Sequence, residues 1–102
     1  MTIQEMFEAT SEEYMLRQLA EECSELAQAA LKLVRAVNGE TPVSIRDARR
    51  NLVEELADVR LMSDTVTIGM LTPAEDITRQ DIYWSKRNRF VERIKAKQNP
   101  TN

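Results

Sequence analysis

The chain has no histidine, one cysteine, two glycines and three prolines among its 102 residues. Without histidine, both the usual general base at neutral pH and the usual zinc ligand are missing. Hydrolytic chemistry must then run on carboxylates, and a bound metal should be a hard, oxygen-seeking ion such as Mg²⁺ or Mn²⁺. A lone Cys23 excludes an internal disulfide; lying mid-stripe on the apolar side of its segment, it is expected to be a small core residue in a reducing cytoplasm. Aromatics make up only 5% of the chain, and Ala, Leu, Glu, Arg and Gln dominate, a balance that favours helix. No apolar run approaches the ~18 residues of a membrane span. Met1-Thr2-Ile3-Gln4-Glu5 has neither the basic nor the apolar region of a secretory signal, so a cytoplasmic protein without a membrane partner is expected. A net charge of −3 argues against nucleic acid as the main partner, which would want a basic face.

What the chain does have is acid at helical spacing. Glu21, Glu22 and Glu25 fall within one and a half turns, among Leu16, Leu19, Leu26 and Leu33. At about 100° per residue, Glu22 and Glu25 share one face, and Glu22 borders the apolar stripe. A second group, Glu54-Glu55-Leu56-Ala57-Asp58, interrupts the stripe of Leu52, Leu56, Val59, Val66 and Met70. There Glu55 falls near Val59 and Met62, Asp58 lies at the edge, and Glu54 points away. One such pair is ordinary on a solvated helix. Two pairs turned toward a helix–helix seam are costly to bury unless a positive charge sits between them, and a divalent ion held by oxygen ligands supplies it.

The length predicts one domain over residues 1–102. Ile3, Met6 and Phe7 allow a short leading helix. A long helix is expected over 11–37, opened by a capping box at Thr10-Ser11-Glu12-Glu13 and closed at Asn38-Gly39. Its stripe includes Ala20, Ala27 and Ala30, which would let another helix come close; Ala29 leaves space beside the acids. The next helix, 44–69, begins at Ser44 with Asp47 three residues on. Arg46, Arg49 and Arg50 at its start oppose the helix dipole and should find acidic partners in this chain or a second subunit. Thr72-Pro73-Ala74-Glu75 is the clearest helix start, for a helix over 73–97 with a frayed tail from Gln98. Its buried face is expected to be Ile77, Tyr83, Trp84, Phe90, Val91 and Ile94, with both Tyr83 and Trp84 in the core rather than stacked on a base. Beside it Lys86, Arg89 and Arg93 lie within about 60° of one another. They read either as a solvated basic face or as a phosphate-binding one.

Carboxylates gathered between two helices suit Mg²⁺, which keeps positions for water and phosphate, so phosphate chemistry is the natural reading. The run Glu21-Glu22-Cys23-Ser24-Glu25-Leu26-Ala27-Gln28-Ala29-Ala30-Leu31-Lys32 and the run Glu54-Glu55-Leu56-Ala57-Asp58-Val59 resemble the signature of the all-α NTP pyrophosphohydrolases of the MazG type, over roughly residues 11 to 95. The resemblance implies a helical bundle whose four-helix core is completed by pairing subunits, as a homodimer or a dimer of dimers. It implies Mg²⁺-dependent cleavage of a nucleoside triphosphate between its α and β phosphates, giving a monophosphate and pyrophosphate. It makes Glu22, Glu25, Glu55 and Asp58 the metal ligands, leaves Glu21 and Glu54 outside the set, and gives Lys32 and the run Lys86-Arg87-Asn88-Arg89-Phe90 to the substrate, with Arg93 added by its place beside Lys86 and Arg89 on the helix. Lys32 is equally explained by a salt bridge on its own helix. Two other classes stay open: a related enzyme, such as a dimeric dUTPase or a phosphoribosyl-ATP pyrophosphohydrolase, and a non-catalytic helical dimer that binds a partner protein. An adaptor would be expected to lose one of the four acids, and all four are present.

Overall fold

The computed structural model describes residues 1–98, which form four helices and no strand: α1 (Ile3–Ala9), α2 (Glu12–Val37), α3 (Ile45–Met70) and α4 (Pro73–Gln98). The all-α expectation holds, and the three long helices end within one residue of the expected limits. The frayed tail expected from Gln98 lies, beyond Gln98 itself, outside the described residues. No helix is long and apolar enough to cross a membrane.

Local chemistry sets the boundaries. Thr2 and Glu5 form a reciprocal capping box at α1, each bond 3.1 Å long. Thr72 and Glu75 do the same at α4, at 2.9 and 3.2 Å. At α3, the Asp47 amide donates to Ser44 Oγ at 3.0 Å. The box expected at Thr10 does not form, and a single cap one residue on replaces it. Ser11 is the extended residue before α2 and accepts from the Tyr14 amide, whereas the Thr10 hydroxyl donates back to the Met6 carbonyl and closes α1. At the other end of α2, Gly39 takes φ +69°. Its amide donates to the Ala36 carbonyl and that of Glu40 to the Arg35 carbonyl, the double closure for which a glycine in the left-handed region is suited.

The chain divides into two compact units, Met1–Met70 and the remainder from Leu71. In the first, α2 and α3 pack along their length and α1 lies on α3. Glu22 and Glu25 of α2 meet Glu55 of α3, and only residues 38–44 join the two helices along which these contacts run, so α2 and α3 are antiparallel. Their seam is small-sided: Met15, Ala29 and Ala36 are buried on α2, and Ala48 and Thr65 on α3. Alanine at the contact lets the axes approach closely. The Thr65 hydroxyl is satisfied by the Leu61 carbonyl at 2.7 Å. The expected stripe needs correction here. Ala20, Ala27 and Ala30 are exposed and Leu19, Leu26 and Leu33 only half-buried, because the seam is centred on Glu22, Ala29 and Ala36. Cys23, about 100° round from Glu22, is exposed rather than core. Beside the end of α3, Gly69 makes room for the Phe7 ring of α1, which a Cβ there would strike.

The second unit is built on α4, none of whose residues is buried. The expectation of a buried α4 face is therefore not met: Tyr83 and Trp84 are each 57% exposed, and only Val91 of the expected face is half-buried. A stripe tells which side of a helix would bury, not that anything covers it. The rings pack locally instead. Tyr83 and Trp84 meet edge to face at 5.2 Å, Arg87 lies over Trp84 and Arg93 over Phe90.

Candidate functional site

Glu22 occupies the seam position between Met15 and Ala29, seven residues from each, and Glu55 the one between Ala48 and Met62. Seven residues are nearly two full turns, so both acids stand in the line of contact between the helices. Both are half-buried, and in each the Oε2 atom is sealed from solvent without a hydrogen-bond partner. Glu25, one turn after Glu22 and exposed, completes a group of three: each residue offers an oxygen within 4.8 Å of the others. Asp58 is exposed and stands outside that mutual group, although its charge acts on both half-buried acids. Glu54 points outward and pairs with Arg50 at 3.8 Å.

The electrostatics follow from this placement. Burial raises the Glu22 carboxyl above the ordinary glutamate range, and the negative charges of Glu25, Asp58 and Glu55 push it the same way. Glu55 is raised for the same reasons, burial first and then Glu25 and Asp58. Among the described residues no cation pairs with them: every ion pair joins two side chains of one helix, and none involves Glu22, Glu25, Glu55 or Asp58. Of the three arginines at the start of α3, only Arg50 has an acidic partner among the described residues, and that partner is Glu54. An all-oxygen donor set with two unsatisfied buried oxygens fits a hard divalent cation, which would supply the missing positive charge.

Beside the acids a cleft of about 360 Å³ runs along the hairpin, lined from α2 by Glu25, Gln28, Lys32 and Arg35 and from α3 by Asn51 and Glu55. Lys32 thus lies with the carboxylates in one cleft, and it forms no ion pair on its own helix. Arg35, Gln28 and Asn51 escaped the reading of the sequence. Their signal was there: Asn51 is one turn before Glu55, and Gln28 and Arg35 are three and ten residues after Glu25, on the same side of α2. On α4, Arg89 and Arg93 share a hollow with Glu92 and Ala96, and Lys86 lies outside it, exposed.

Comparison with protein-family models, curated proteins and solved structures gives no match to this chain.

Proposed function

We propose that the chain is a Mg²⁺-dependent nucleoside triphosphate pyrophosphohydrolase of the MazG-like class, with Mn²⁺ as an alternative ion. The observation that carries the reading is the pair of buried, unpartnered carboxylate oxygens of Glu22 and Glu55, grouped with Glu25. Keeping such a pair in a helical seam costs stability, which an apolar pair would not, and a bound cation removes the cost. Glu22, Glu25 and Glu55, with Asp58 beside them, would hold the ion. When bound, it supplies positive charge to phosphate oxygens and lowers the pKa of a coordinated water. In the reaction a water oxygen bonds to the α-phosphorus, and the bond to the α–β bridging oxygen breaks with its electron pair. The products are a nucleoside monophosphate and pyrophosphate. With histidine absent, a carboxylate of the cluster is the group within reach to take the water's proton. Lys86, Arg89, Arg93 and Lys32 are the proposed substrate-side cations.

Self-association belongs to the same proposal. Leu31, Val53, Leu56, Ile77 and Trp84 are all more than half exposed. Apolar side chains left open along the helices are the surface that a second copy would cover. The same exposed apolar surface also supports a second reading, a helical interaction module without catalysis.

The test is a screen of the eight common ribo- and deoxyribonucleoside triphosphates, scored for pyrophosphate with Mg²⁺ and with chelator. Pyrophosphate release that requires Mg²⁺ is expected for at least one of them. Absence of release from all eight, together with no effect of Mg²⁺ on thermal unfolding, would leave the interaction module as the better account.

A further inference from the structure

We infer that the cleft between α2 and α3 seats the distal phosphates of the substrate, with Lys32 and Arg35 as their cationic partners and Asn51 as a positioning residue on the opposite wall. The inference rests on the phosphohydrolase reading above, adds Arg35 and Asn51, which that reading does not use, and assigns Lys32 to a particular part of the substrate. Its basis is the way charge is laid out along one groove. Glu25 and Glu55 stand at one end and Lys32 and Arg35 toward the other, with the amides of Gln28 and Asn51 between. The two ends do not neutralise each other, since among the described residues none of these four forms an ion pair. A complementary ligand therefore carries a cation at one end and anionic groups at the other, which describes a phosphate chain with a divalent ion on it.

Dimensions and direction agree. Lys32 and Arg35 are seven and ten residues beyond Glu25, a rise of about 10 and 15 Å along the axis. Side chains on a helix lean toward its N-terminus, which on α2 is the direction of Glu25, so both cations reach back toward the acids. Lys32 is half-buried and serves as a point charge; the exposed Arg35 has the planar fork that meets two phosphate oxygens at once. Asn51, half-buried one turn before Glu55, offers an amide that can donate to the same group. Pyrophosphate, as the part cut from the α-phosphate, would then be the last product in contact with the protein and a competitive inhibitor.

The experiment titrates the full chain with inorganic pyrophosphate at fixed Mg²⁺, for the parent and for Lys32→Gln, Arg35→Gln and the double variant. Arg60→Gln, which removes only an exposed pair with Asp64, is the control. Each cleft substitution is expected to weaken pyrophosphate binding about tenfold or more, and the control to leave it unchanged. The rise in unfolding temperature caused by Mg²⁺ alone should persist in all of them, and AMP binding should change far less than pyrophosphate binding. Pyrophosphate affinity within twofold of the parent in the double variant, with the Mg²⁺ effect intact, overturns the cleft assignment alone. A parent that shows no Mg²⁺ effect overturns the phosphohydrolase reading and the cleft assignment together. Equal loss of AMP and pyrophosphate binding overturns the assignment to the distal phosphates.

Discussion

Glu22 and Glu55 meet across the α2–α3 seam with carboxylate oxygens within 4.8 Å of each other, and each keeps one oxygen sealed from water and unbonded. Each holds the position where the heptad line of its helix would otherwise continue with an apolar or small residue, as Met15, Ala29 and Ala48 do. Half-buried like charges with no counterion are a liability where, among the described residues, the buried apolar ones are Met15, Ala29, Ala36 and Ala48. The proposed metal site would turn that liability to use.

Glu55→Gln retains shape and removes one charge. It is expected to abolish pyrophosphate release and the gain in stability on adding Mg²⁺, while the metal-free protein becomes at least as stable as the parent. That gain in the parent should be about 2.7 kcal/mol at a hundredfold excess over the dissociation constant. Glu54→Gln breaks only an exposed pair with Arg50 and should change stability by less than about 0.5 kcal/mol. Thermal unfolding of the two variants with and without Mg²⁺ decides the matter, and equal behaviour would sink the site.

Because Glu22 and Glu55 are both raised from their ordinary 4.5 in the folded state, the native protein holds protons that the unfolded chain has released. Stability of the metal-free protein should therefore fall as pH rises from about 4.5 through the raised values, then level off. Mg²⁺ competes with those protons, so its stabilising effect should grow over the same window. Chemical unfolding at a series of pH values, with chelator and with Mg²⁺, reads both slopes. Stability that rises across this window without metal would contradict the buried placement.

Gly69→Ala puts a methyl group into the Phe7 ring. The expected cost is about 1–3 kcal/mol from overpacking, partly offset by up to ~1 kcal/mol of helix propensity. The loss should be local: amides of α1 should lose protection from hydrogen exchange while those of α2 and α3 keep theirs. With Phe7→Ala already present, the same change should become neutral or stabilising. A similar destabilisation in both backgrounds would mean that Gly69 matters for some reason other than room for the ring.

At Gly39 the situation is reversed, since nothing lies within 4 Å of where its Cβ would stand. Any cost of Gly39→Ala is then purely the left-handed backbone, about 1–2 kcal/mol, and Gly39→Asn should cost less. Urea unfolding of the two variants tests the order.

The limits of the helices were legible because their signals are local. Thr72 with Glu75, Ser44 with Asp47 and Asn38 with Gly39 each act within five residues, and all are found at helix ends. Thr10 was misread because two adjacent hydroxyl residues could both cap, and only the path of the chain from α1 chooses Ser11. The inward sides of Glu22 and Glu55 were also visible, since periodicity alone places them near the stripe. The exact centre of the seam was not. A rotation of one residue separates Ala30 from Ala29 and Cys23 from Glu22, and what fixes it is the fit of α2 against Ala48 on α3. The exposed rings of α4 show the same limit. An apolar stripe can be read from sequence, but whether anything covers it leaves no trace in the helix itself.

Residues 38 to 44 are all that separate the two helices carrying the three carboxylates. Closing so short a loop costs little entropy, and the contacts it brings are local, so the hairpin is a natural early structure in folding. The repulsion between Glu22 and Glu55 is then met on the way to the transition state and not after it. A cation that relieves it should act on the folding limb of a chevron plot, so that Mg²⁺ makes the chain fold faster and does more than slow its unfolding.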